Sequence, residues 1–230
     1  MLKEPAALWQ LGFAPDAALL DLVLYKLSRR YREDSLTLVK ANVPVNLILP
    51  DITARRPSDP AILLYWNLAD YLMAILRSDN HRGWLRNVTA GLPVGVEDNA
   101  SDAVRAAALW AAQMERFAAA LGVMPNARSL DASHFFAQPT KAVMDCAELF
   151  GIECSAATVA DIVSGPLFSN YSKRPDVAFT NADRMARVRE TSTSVVAEIA
   201  EAVAWLGEQG RPHDALEARV AAGALMISVN

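Results

Sequence analysis

Two residues at the end of an apolar run open the functional reading: Lys40 and Asn42, in LTLVKANVPVNLILP (36–50). A lysine at the end of a buried strand can hold a phosphate or sulfate as a point charge, or neutralise a leaving oxygen. By position alone it can equally cap the strand and reach solvent. A second corner follows AILLYW (61–66), where Trp66 and Asn67 close the run and Asp70 falls in the first turn of a helix. Asp70 there favours the helix dipole, whatever else it does. A third set, Ser169, Ser172, Lys173 and Arg174 in GPLFSNYSKRPD (165–176), gathers hydroxyls and two cations in a loop. Such a loop suits an anion, or is a solvated turn before a helix.

Absent motifs narrow the chemistry. No G-x-x-x-x-G-K-[ST], G-x-G-x-x-G or G-x-S-x-G occurs, so ATP-driven, dinucleotide and serine-hydrolase readings lack their main residues. Cys146 and Cys154, eight apart, match neither a metal ligand set nor a disulfide framework, and His81, His134 and His213 are scattered. No metal is expected. A net charge of −4 gives no global attraction to nucleic acid or anionic lipid and leaves room only for a local basic pocket. RSDNHRGWLR (77–86) reads as a solvated helix end rather than a nucleic-acid patch. Lys3 and Glu4 follow Met1 without an apolar leader, and AILLYWNLADYLMAIL (61–76) holds Asn67 and Asp70 and is too short to span a bilayer. A cytoplasmic protein with no membrane span is expected.

The elements that must position these residues follow from periodicity. The 230 residues suit one domain, 1–230, with no linker or repeat. LTLVK (36–40) and AILLYW (61–66) read as buried strands, each followed by a helix: VNLILPDITARR (45–56), with Pro50 as a kink, and LADYLMAILRS (68–78). Strand–helix–strand–helix predicts a parallel sheet with crossover helices. AVRAAALWAAQMERFAAALG (103–122) is a helix with Trp110, Met114, Phe117 and Leu121 on one face and Gly122 as its cap. ARSLD (127–131) is a third strand candidate, and PTKAVMDCAELFG (139–151) a helix opened by Pro and closed by Gly. ADRMARVRETSTSVVAEIAEAVAWLGEQG (182–210) reads as one long amphipathic helix with Val188, Val195, Ile199, Val203 and Leu206 inward. The fold class expected is α/β with a helix-rich C-terminal half.

The order of these segments resembles the P-loop sulfotransferases, which move a sulfuryl group from PAPS onto a hydroxyl or amine acceptor. LVKANVPVNLILP looks like their V-V-K-T-H-L-P strand and turn, and AILLYWNLADYLMAILR like their R-N-P-x-D-x-x-x-S element. SHFFAQPTKAVMDCAELFGI resembles their later Y-E-D-L-x-x-D-P stretch and the helix after it, and VADIVSGPLFSNYSK the segment beyond. The run TNADRMARVRETSTSVVAEIAEAVAWLGE has the look of the C-terminal helix of bacterial members. The resemblance implies a P-loop NTPase-like fold with PAPS as donor, PAP as product and no metal. Lys40 matches the family lysine, and Asn42 stands where the catalytic His would be. An amide takes no proton at neutral pH, and losing a general base removes about 10²–10⁴ in rate. Trp66 stands for the phosphate-binding Arg, Ala74 for the Ser, and Asp70 matches; Lys173 and Arg174 would contact the donor's phosphates.

The loop that wraps the phosphosulfate has no counterpart in the 35 residues before the first strand. The resemblance therefore implies an N-terminally incomplete fold, active only if an upstream phosphate loop completes it. Its alternative is an inactive relative that serves as an anion-binding or protein-interaction scaffold. The acceptor is open, and a homo-oligomer through an exposed strand edge is expected unless MLKEP or another segment fills the gap.

Overall fold

The computed structural model describes residues 2–29, 36–171 and 174–225. An N-terminal layer holds β1 (Leu2–Lys3), α1 (Ala6–Phe13), α2 (Ala17–Ser28), β2 (Val39–Lys40), α3 (Val43–Leu47) and α4 (Leu49–Arg55). Then come β3 (Ala61–Tyr65), α5 (Leu68–Leu76), α6 (Asp79–Gly91), the long α7 (Asp102–Val123) and β4 (Ala127–Asp131). α8 (Ala132–Ala137), α9 (Pro139–Leu149), α10 (Ala156–Ser164) and α11 (Pro166–Ser169) lead to β5 (Asn170–Tyr171) and β6 (Arg174–Ala178). α12 (Asn181–Ser194), α13 (Val196–Glu208) and α14 (His213–Ala221) follow.

The class is α/β, mostly helical, and the strand pairing departs from the single sheet expected. β1–β2 and β3–β4 are parallel pairs and β5–β6 an antiparallel one, each a two-stranded sheet among the described residues. β2 and β3 lie in different sheets. In LTLVK only Val39 and Lys40 are strand, paired with Leu2 and Lys3, so the MLKEP segment does supply a neighbour. Leu36 and Val39 remain 49% and 38% exposed. An apolar run of β-formers fits a covered strand, but composition does not supply the layers that cover it. β3 instead pairs over five residues with β4, in register from Ala61↔Ala127 to Tyr65↔Asp131. A segment not expected as strand adds to β4: Ser129 N–H donates to the Gly223 carbonyl at 2.9 Å, and Leu225 N–H to the Ser129 carbonyl at 2.9 Å.

The core is organised on a helix rather than a sheet. α7 packs against α3, α4, α5, α6, α13, α14 and β4. Its buried alanines, Ala103, Ala106, Ala107, Ala108, Ala111 and Ala112, let those neighbours approach closely, while Leu109, Trp110, Met114 and Phe117 fill the space between them. A helix apolar nearly all round belongs at a centre. Gly122 is not its cap, because the helix runs on to Val123 and Met124 leaves it in extended conformation. Gly151 does close α9, at φ 64°, with Ile152 N–H reaching back to the Ala147 carbonyl.

The long helix expected over 182–210 is two. Val195 leaves helical geometry at φ −116°, ψ 14°, and is buried. The break follows a Thr/Ser run in which Ser194 Oγ bonds the Thr191 carbonyl, competition that hydroxyl side chains offer the helical backbone. Val188 is placed only as part of α12, whereas Leu206 is fully buried. Likewise 45–56 breaks at Ile48, before Pro50, which sits in the first turn of α4.

An ionic network ties α6, α7 and α13. Arg82 grips Glu198 with two bonds of 2.6 and 2.9 Å, and Arg86 grips Asp102 with two of 2.7 Å. The Arg86 hydrogen bonds hold the Asp102 carboxyl below its ordinary range, against the opposing effect of burial, with Arg82 adding to the lowering. A depressed folded-state pKa contributes stability above the unfolded value, about 3.9, that is lost as pH falls through the folded one. Denaturant titrations below about pH 4 should therefore show a steeper loss in the native chain than in Asp102→Asn. Equal slopes would remove Asp102 from the acid response.

Candidate functional site

Because β3 and β4 are parallel and in register, they end together at Tyr65 and Asp131, and each feeds a helix. In α/β folds ligands bind beyond such strand ends. Asn67 caps α5, accepting from Asp70 N–H at 2.9 Å, and Asp131 caps α8, accepting from Ser133 N–H at 2.7 Å. The two corners are then cross-linked: Ser133 Oγ donates to Asp70 Oδ2 at 3.0 Å, and Asn67 Nδ2 to the same oxygen at 3.1 Å. From below, Trp110 Nε1 on α7 donates to the Trp66 carbonyl at 2.9 Å. From α14, Glu217 accepts from Leu68 N–H at 2.8 Å, so a carboxylate of the chain itself already meets the start of α5.

The mouth of the cluster is aromatic and cationic. Trp66 stacks on Phe136 of α8, with ring centroids 5.9 Å apart and planes 27° from parallel. Arg184, in the first turn of α12, lays its guanidinium over both rings, at 4.8 Å from Phe136 and 5.5 Å from Trp66. The pose is held by Asn181, whose Oδ1 accepts from Arg184 Nε at 2.9 Å. Among the described residues no carboxylate pairs with Arg184. Cation–π contact orients a charge without neutralising it. Tyr65, the last residue of β3, has its phenol pushed up to about 12 by burial, with Asp131 and Glu217 adding to the shift. It is a neutral hydroxyl at physiological pH and cannot act as a base there.

Of the residues expected at the site, Trp66 and Asp70 are brought together here, one in the aromatic mouth and the other in the polar floor. Lys40 ends the separate β1–β2 sheet and Asn42 follows it, and neither shares a hydrogen bond or ring contact with this cluster among the described residues. The Lys40 ammonium is paired with Glu4 at 2.7 Å, both well exposed, a pairing worth about 0–1 kcal/mol. Asn42 starts α3, yet its side chain does not cap it, and Oδ1 is buried without a donor. Lys173 lies outside the described residues, and Arg174 is the first residue of β6.

Arg184, Phe136 and Ser133 are the residues of this candidate site that sequence reasoning misses. Thr180 and Asp183 do form a reciprocal capping box, a readable start signal that sets Arg184 in a first turn. No local pattern says that this turn reaches the end of β3. Among the described residues no cluster of His, Cys, Asp or Glu is placed to hold a metal, and no helix is long and apolar enough to cross a membrane. Comparison with family profiles, curated proteins and solved structures finds no match for the chain.

Proposed function

We propose that this chain is a sulfotransferase-like protein that binds an anion beyond the C-terminal ends of β3 and β4 and does not itself transfer a sulfuryl group. The observation that carries the reading is Arg184, a guanidinium held over Trp66 and Phe136 and without a carboxylate among the described residues. Trp66 takes the position in which the resembling motif has a phosphate-binding Arg, and Arg184 brings a guanidinium to that same side chain from another element. Its fork matches the geometry of sulfate and phosphate oxygens. In the Asp70–Ser133–Asn67 floor one hydroxyl hydrogen and one amide hydrogen are spent on Asp70, which leaves the Ser133 oxygen and the second Asn67 amide hydrogen to whatever group accompanies the anion.

Sulfuryl transfer from PAPS to a hydroxyl or amine acceptor would need two further parts. One is a phosphate-cradling loop, whose motif the 230 residues do not contain. The other is a proton acceptor. Asn42 is an amide, the Tyr65 phenol is neutral up to about 12, and Lys40 is a cation held by Glu4. The anion-binding scaffold is therefore the better supported form.

Calorimetry with sodium sulfate and with PAP tests this directly. Weak, salt-sensitive binding of either is expected. Arg184→Gln should weaken it about 10–100-fold, the loss of a charge-assisted bond worth about 1.5–3 kcal/mol. Lys40→Ala should leave it unchanged. Absence of heat with both ligands, or PAPS-dependent sulfation of a phenol by the chain alone, would overturn the proposal.

A further inference from the structure

α2 buries one side and leaves the other bare. Leu20 is fully covered, and Val23, Leu24 and Leu27 pack beside it on Leu8, Leu11, Val45 and Ile48. On the opposite side Leu19, Leu22 and Tyr25 are 44%, 51% and 57% exposed. Their i, i+3, i+6 spacing makes one stripe along the helix. Leu19 also rims a groove of about 680 Å³ between α1, α2 and α6, lined by Trp9, Phe13, Trp84 and Val88. Trp9 and Trp84 are themselves 41% and 38% exposed. Single exposed apolar side chains are ordinary, but a continuous stripe running into a groove marks a contact surface. The groove shares no residue with the Arg184 cluster.

We propose that this surface is the seam of a homodimer, in which two copies of the chain pack their α2 helices antiparallel about a two-fold axis at Leu22. The charges on α2 select that occupant. Asp16 caps its N-terminal end and Lys26 and Arg29 close its C-terminal end, while Asp21, beside the axis, is already paired with Arg55 of the same chain. An antiparallel second copy sets acid against base at both ends, and the helix dipoles oppose favourably. With Leu22 on the axis, Leu19 faces Tyr25 of the second copy, so that tyrosine comes down at the mouth of the groove that Leu19 rims. The same contact is made twice, as an isologous interface requires. A large ring entering an apolar groove is the type of anchor that dominates such interfaces. A lipid surface is disfavoured, because the chain as a whole is acidic, with a net charge of −4.

Size-exclusion chromatography with light scattering on the full chain should give about twice the 24.9 kDa of one copy. Leu22→Asp sets two carboxylates on the axis and should halve that mass while leaving the circular dichroism and melting temperature unchanged, because Leu22 is half exposed in one copy. In a Cys146→Ser, Cys154→Ser background, Leu22→Cys should cross-link to a dimer under mild oxidation. Leu36→Cys, at a similarly exposed position, should not. A monomer at every concentration, a dimer that survives Leu22→Asp, or an uncross-linked Leu22→Cys would each overturn the proposal. So would a monomer that sediments with phosphatidylcholine–phosphatidylserine vesicles through Leu22.

Discussion

Replacing Trp110 with alanine should lower stability by about 3–5 kcal/mol, the range for removing a large buried aromatic side chain from a core. Trp110 is 2% exposed on the central helix, and its indole N–H is the donor to the Trp66 carbonyl. Two effects add. The alanine leaves a cavity in the layer between α7 and its neighbours, and the Trp66 carbonyl loses its partner at the strand end. Trp110→Phe separates them, since it keeps most of the volume and deletes the donor, and should cost about 1–2 kcal/mol. For a chain of this length the alanine variant's melting temperature should fall by about 10 °C. The site should feel both substitutions, because Trp66 carries the stacked pair on which Arg184 rests. Sulfate affinity that stays at the native value in Trp110→Phe would show that the ring of Trp66 is positioned without that hydrogen bond.

A loss of about 2–4 kcal/mol is expected for Arg105→Met, although no carboxylate pairs with this arginine among the described residues. Arg105 is 9% exposed, and its fork is spent on three backbone carbonyls and one hydroxyl. Nε donates to the Ala100 carbonyl at 3.2 Å, Nη2 to the carbonyls of Glu97 and Asp98, and Nη1 to Thr89 Oγ1 at 3.2 Å. One side chain thus pins the 97–100 turn onto α7 and α6. Methionine matches much of the volume but leaves three carbonyls and a hydroxyl to find water. Arg105→Lys should recover only a fraction, because a single ammonium cannot reach acceptors in three directions. Urea denaturation measures the cost, and limited proteolysis within 93–101 shows where it falls. A Met variant within about 0.5 kcal/mol of native, the range of an ordinary surface substitution, would mean that the turn is held by Leu92 and Val94 alone.

These expectations rest on α7, which periodicity identifies well: Trp110, Met114 and Phe117 are inward, as their spacing requires. AILLYW is likewise legible as a strand, a short apolar run between turn residues, and its strand ends one residue early at Tyr65; ARSLD forms a strand too, although it is neither β-branched nor mainly apolar. Pairing is not legible. Nothing within LTLVK distinguishes a covered central strand from the exposed two-residue strand it forms, since that depends on which segments lie on its faces. The single helix expected over 182–210 fails for a local reason that could be read, the hydroxyl run before Val195. At the site, Trp66 and Asp70 are legible because they follow a strand end. Arg184 and Glu217 reach that end from α12 and α14, long after it in the chain, and a charge in the first turn or middle of a helix looks the same wherever the helix docks.

The bonds between Ser129 and the residues after α14 have a bearing on how the chain is made. Synthesis runs from the N-terminus, so β3, β4 and α7 leave the ribosome well before Gly223 and Leu225 exist. Throughout that interval the outer edge of β4 presents unpaired amides and carbonyls, and the start of α5 lacks Glu217. An open edge is a template for the next strand it meets, which on a polysome is the same segment of a neighbouring nascent chain. Because α14 arrives late, yield should depend on the pace of translation over 132–225. Slowing those codons lengthens the exposure, and a chaperone that covers β4 shortens it.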